Sequence, residues 1–226
     1  RDAKAPDSTD LNRNFDTKQW KAIRASKKGA FSTDVNKETF LGTNPADTAE
    51  VKVLQKMITT TAFDLAVDHH TYHCALLFPL GDDLGKAKED ARIVAFSGAM
   101  QKQVNRKAQL AANFTTQKTA DAWTLNKSSD YYAALRKFPV GDLSRVPGSI
   151  TDFIIYTAQD AGRKTVAFAM ELPPMDHTGS PAFYPDESII QPVFRQLIGT
   201  SLALIKAAAA PKPGDADFTP FDIVAP

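Results

Sequence analysis

"KTVAFAMEL", residues 164–172, decides the class of fold. Val166, Phe168 and Met170 alternate with small residues, which is the period of a β-strand. One carboxylate, Glu171, closes an otherwise apolar run. A solvated strand end is the plainer reading of that glutamate. The chemical reading is a partly desolvated carboxylate with a raised pKa, suited to general-base work.

Working outward, "FDLAVDHH" (63–70) and "CALLFPL" (74–80) read as two short strands around a polar corner. "AEVKVLQKMITTT" (49–61) reads as a helix with Asp47 or Thr48 as its N-cap. Its Val51, Leu54, Met57 and Ile58 form one apolar face. "TDFIIYTAQDAG" (151–162) reads as a helical turn ending at Gly162. The stretch 86–114, "SSDYYAALRKF" (128–138) and "ESIIQPVFRQLIGTSLALIKAAAA" (187–210) also look helical. Residues 1–48 look loop-rich. Strands alternating with helices indicate an α/β layered domain. Residues 207–226 form a Pro-rich tail.

The totals agree with a packed domain. The 226 residues are 43% hydrophobic and 23% charged, with Lys plus Arg at 27 against 26 for Asp plus Glu. A net charge of +1 gives no reason to invoke nucleic acid or an anionic membrane. One cysteine, Cys74, excludes an internal disulfide framework. No run approaches the roughly 18 apolar residues of a membrane span.

Three of the four histidines lie in "VDHHTYHCALLFP" (67–79). An isolated histidine is more often a hydrogen-bonded core or surface residue than a ligand. Here Asp68 precedes the pair and an apolar strand follows, which suits metal ligation with a carboxylate orienting the ring. His70 and His73 are three apart, but in an extended segment their rings point to opposite faces. A catalytic zinc site needs about three protein ligands. No His-x-x-Glu or His-Glu-x-x-His occurs in the chain.

Three motifs, in order, resemble the zinc metallocarboxypeptidases, the carboxypeptidase A/B-like family or funnelins. "DLNRNF" (10–15) resembles the family's Asp-x-Asn-Arg-Asn-aromatic motif. "DHHTYHCALLFP" (68–79) resembles its His-Ser-Tyr segment, with His70 nine residues before Pro79. "FAMEL" followed by "HTGSPAFYPDESII" resembles its Phe-x-Phe-Glu-Leu strand and closing helix. The resemblance covers roughly residues 1–206. It implies a mixed, mostly parallel twisted sheet with helices on both faces.

It also implies roles. Asn12 and Arg13 grip the terminal carboxylate of a peptide substrate, a task for which the planar fork of Arg is suited. His70 is one ligand of Zn2+. Glu171 is the general base that activates a zinc-bound water. Arg1 is the candidate for oxyanion stabilisation, and Ile150 for the base of an apolar side-chain pocket. The family's substrate-capping tyrosine has no counterpart at the expected spacing; Tyr131, Tyr132 and Tyr156 are substitutes. The family's remaining zinc ligands lie well upstream of the Asn-Arg pair, so the chain is expected to cover the C-terminal two-thirds of a catalytic domain. An N-terminal fragment of the same protein is then an expected partner, and a secreted or periplasmic location is favoured. Two other readings keep the same fold: a zinc amidase acting on cell-wall peptides or N-acyl amino acids, and an inactive carboxylate-binding module.

Overall fold

A computed structural model describes residues 9–71, 75–82, 136–139, 145–163 and 165–172. The elements in chain order are a 3-10 turn (Leu11–Arg13), α1 (Trp20–Ser26), α2 (Ala49–Thr60) and β1 (Leu65–Thr71). Then come β2 (Ala75–Phe78), β3 (Arg136–Pro139), α3 (Ile150–Asp160) and β4 (Val166–Leu172). The strands form one sheet in the order β1-β4-β2-β3. Arg1, His73, Cys74, Tyr131, Tyr132, the 86–114 stretch, the 187–210 helix and the Pro-rich tail lie outside the described residues.

The α/β class is that expected. The segment read from "KTVAFAMEL" is β4, and its position explains its composition. Val166 to Met170 are all buried, so both faces are covered, as in an inner strand. Three bonds fix its direction against β1. The Arg163 Nη1 donates to Thr61 O, the Thr165 hydroxyl to Phe63 O, and the Val166 N–H to Asp64 O. The two chains climb together, so β1 and β4 are parallel and Leu65 lies opposite Val166. On its other side β4 runs antiparallel to β2, with Ala75 opposite Glu171 and Leu77 opposite Ala169. The sheet is therefore mixed.

Thr48 caps α2 as its side chain accepts from Val51 N. Val51 and Ile58 are buried, whereas Met57 is 47% and Val53 68% exposed. The apolar face is thus narrower than the spacing suggests, and α2 packs on α3. The segment read as a helical turn is an eleven-residue helix, α3, buried almost all round. Residues 136–138, read as the end of a helix, belong instead to strand β3, Arg136–Pro139. Pairing beside β2 overrides the local propensity of that segment. The loop-rich start contains α1, which buries Trp20 and Ile23.

The chain divides into two compact units. One holds residues 1–68, 78–91 and 139–168; the other holds 69–77, 92–138 and 169–226. Among the described residues no helix is long and apolar enough to cross a membrane.

Candidate functional site

The first unit contains Asn12, Arg13 and Ile150 and brings them together. Asp10 caps the 3-10 turn by accepting from Asn12 N. The Asn12 side-chain oxygen then accepts from Ile150 N, the first N–H of α3. Arg13 is half-buried. Its Nε donates to Ala30 O and its Nη1 to Asn12 O, each at 2.8 Å. Two of its five N–H groups are thereby spent on backbone carbonyls, which fixes the plane of the guanidinium. No other hydrogen bond of the Arg13 side chain occurs among the described residues.

Asn14 and Phe15 hold this turn from beneath. Asn14 is fully buried, and its amide nitrogen donates to Leu41 O and Asn44 O. Its side-chain oxygen accepts from Asp47 N at 3.0 Å. One side chain therefore pins the loop that leads into α2. Asn14→Ala is expected to cost about 2–3 kcal/mol, because buried backbone groups lose their partners. Urea denaturation checks it. The Phe15 ring packs on Phe153 of α3, with centroids 5.7 Å apart.

Gly148 lets the turn and α3 approach. Its φ is +65°, and a Cβ there would lie 2.3 Å from Arg13 O. That same carbonyl accepts from the Trp20 indole N–H at 2.8 Å. Gly148 O in turn accepts from Phe15 N.

Behind the Gly148–Ile150 loop lies a feature the sequence reading missed. Asp152 is fully buried on α3, and its carboxylate accepts from the N–H groups of Gly81 and Asp82. Asp82 is also fully buried; its Oδ1 accepts from the Tyr156 hydroxyl at 2.7 Å. Burial pushes the Asp152 carboxyl well above its ordinary range, and the neighbouring Asp82 charge pushes it further. Burial also raises Asp82, against the Tyr156, Thr17 and Gln19 hydrogen bonds that favour its charged form. The sequence did carry a signal. Ser149 to Asp152 is the Ser-x-x-acid spacing of a capping box, and Ser149 Oγ accepts from Asp152 N. Tyr156 is buried and tied to Asp82, so it is not a mobile substrate cap.

The second unit contains His70 and Glu171. Both strands have seven residues, so an unbroken register from the Leu65–Val166 pair would set His70 opposite Glu171. Neighbouring strands are about 4.8 Å apart, so such a pair would share one face. Both lie near the carboxyl ends of parallel strands, where such sheets bind ligands. His70 and Asp68 are half-buried, while His69 and Thr71 are exposed, as the alternation requires. One imidazole and one carboxylate fall short of the about three ligands of a catalytic zinc site. Among the described residues no group of three or more potential ligands gathers.

The Zinc carboxypeptidase family model matches residues 1–198. No curated protein matches the chain. Solved structures do. Bovine thrombin-activatable fibrinolysis inhibitor, in complex with tick carboxypeptidase inhibitor, is similar at TM-score 0.64 and 20% identity. The match covers 89% of this chain and 57% of that one. A second structure of thrombin activatable fibrinolysis inhibitor is similar at TM-score 0.62 and 20% identity, over 88% of this chain and 42% of that one. Carboxypeptidase A from Helicoverpa armigera is similar at TM-score 0.59 and 18% identity, over 89% of this chain and 42% of that one. The chain thus spans about half the length of these structures and has their fold. With a family model matched along most of its residues, the chain belongs to the zinc carboxypeptidase family.

Proposed function

We propose that the protein releases C-terminal residues from peptides as a zinc-dependent metallocarboxypeptidase. The observation that supports this most is the placement of His70 and Glu171 near the ends of neighbouring strands, β1 and β4. It sets a ligand-type imidazole and a carboxylate able to move a proton on adjacent strands. His70 contributes one metal ligand, and the other ligands come from residues outside the described ones. Bound zinc supplies Lewis-acid polarisation of the scissile carbonyl.

The chain's own residues do the rest. Arg13, braced by Ala30 O and Asn12 O, presents its remaining N–H groups to the substrate's terminal carboxylate. Asn12 adds an amide donor, with its oxygen already held by Ile150 N. Ile150 contributes an apolar surface for the substrate side chain. Glu171 takes a proton from the attacking water and returns it to the leaving amine.

The test is zinc content together with release of C-terminal residues from a peptide panel by the full-length protein. Peptides with amidated C-termini should be cut far less well than free acids. Equal cleavage of both would rule out the carboxylate clamp. In Arg13→Gln, the lost charged hydrogen bonds are worth about 1.5–3 kcal/mol, hence about 10- to 100-fold in kcat/KM. Binding of free-acid peptides without any hydrolysis by the zinc-loaded protein would favour an inactive carboxylate-binding module.

A further inference from the structure

A cleft of about 440 Å3 opens in the first unit beside α1, a size within the range of small-molecule sites. Lys21, Arg24 and Lys27 contribute three cations to its wall, and Thr33, Thr43 and Asn44 contribute hydroxyl and amide groups. No Asp or Glu is among its described lining residues. Among the described residues none of the three cations forms an ion pair or a side-chain hydrogen bond. Lys18, by contrast, pairs with Asp160 at 2.6 Å.

A plain account exists for part of this. Arg24 lies in the last turn of α1 and Lys27 is its C-cap, where cations complement the helix dipole. Lys21 and Lys27 are exposed and well hydrated. Neither point accounts for the buried part of the Arg24 side chain. Its Nε is buried and has no hydrogen-bond partner among the described residues. Its guanidinium carbon sits 5.7 Å from the centre of the Trp20 ring. A cation over a ring face gains from the π-system, but the ring gives its N–H groups no ordinary acceptor. A buried donor without an acceptor is costly, and a bound ion is one of its ordinary explanations.

We propose that this cleft binds an oxyanion of the phosphate or sulfate class, with the Arg24 guanidinium as its main contact and Lys21 and Lys27 as flanking charges. Arginine forks match the paired oxygens of such anions, and an unopposed positive cleft raises their local concentration. The site is separate from the carboxylate clamp. Trp20, which carries Arg24 on its ring, also donates to Arg13 O from its indole N–H. An occupied cleft would therefore steady the backbone from which the clamp is built. This inference does not depend on the peptidase reading.

The experiment is calorimetric titration of the full-length protein with inorganic phosphate, at constant ionic strength and with a chelator present to remove metal-bound anion. Saturable binding is expected, weakened at least tenfold by Arg24→Gln and severalfold by the Lys21→Gln, Lys27→Gln pair. Arg24→Lys, which keeps the charge but loses the fork, should fall between wild type and Arg24→Gln. Lys56→Gln, an exposed charge on α2, should leave binding unchanged. Absence of saturable binding overturns the proposal. So does an equal loss in Lys56→Gln, which would mean diffuse charge attraction. Loss in Arg13→Gln alone would place the anion in the clamp and likewise overturn it.

Discussion

Glu171→Gln is expected to lower kcat for peptide hydrolysis by about 10²- to 10⁴-fold, the range contributed by a positioned general acid–base. The amide keeps the size and one acceptor oxygen of the carboxylate but cannot accept the proton. KM should change little, because the carboxylate clamp lies on other residues. Zinc content should be unchanged too, which separates a proton-transfer defect from a lost metal. A fall of less than tenfold with zinc retained would remove Glu171 from the chemistry. Sequence order already suggested this glutamate through the strand in which it sits. β1 lies beside that strand and carries His70.

Asp152→Ala is expected to cost about 2–4 kcal/mol of stability. It leaves the buried N–H groups of Gly81 and Asp82 without an acceptor, at about 1–3 kcal/mol each. Part is regained because Asp82 loses a repulsive neighbour. The pH dependence gives a second handle. Both carboxyls titrate above the ordinary value near 3.8, chiefly because they are buried. Between that value and their raised pKa values the folded protein binds more protons than the unfolded chain. Stability contributed by the pair is therefore fully present below about pH 3.8 and is lost as pH rises through the raised pKa values. Asp82→Asn should flatten this dependence and be neutral or stabilising at alkaline pH, since an amide can donate where two carboxylates share a proton. Urea denaturation of the three proteins across pH tests both statements. A stability that climbs with pH equally in wild type and Asp82→Asn would mean the pair ionises freely.

The fold was legible where local chemistry and final packing agree. Thr48 announces α2, and the alternation around Phe168 announces β4. It was illegible where only distant pairing decides. Nothing local marks Arg136–Pro139 as a strand; its neighbour β2 does. Seven residues are under two full helical turns, so α1 gave no period to read. At the candidate site, the polar run from Asp10 to Asn14 stood out in the sequence as the stretch carrying the proposed clamp. Its division of labour needed contacts: Asn14 holds the α2 loop, and Asn12 is tied to Ile150. Asp152 was hidden because acids are rarely fully buried, although its Ser149 spacing was visible. That His70 and Glu171 stand on neighbouring strands is a property of topology rather than of either motif.

That topology has a temporal side. β4 comes last of the described strands in the chain yet lies between β1 and β2, which come early. A growing polypeptide therefore cannot close the two early strands on each other without occupying the slot reserved for the latecomer. Contacts of such long sequence separation are slow to form. Until the strand carrying Glu171 is inserted, His70 has no carboxylate neighbour on that side, so this half of the site is completed only when the sheet is.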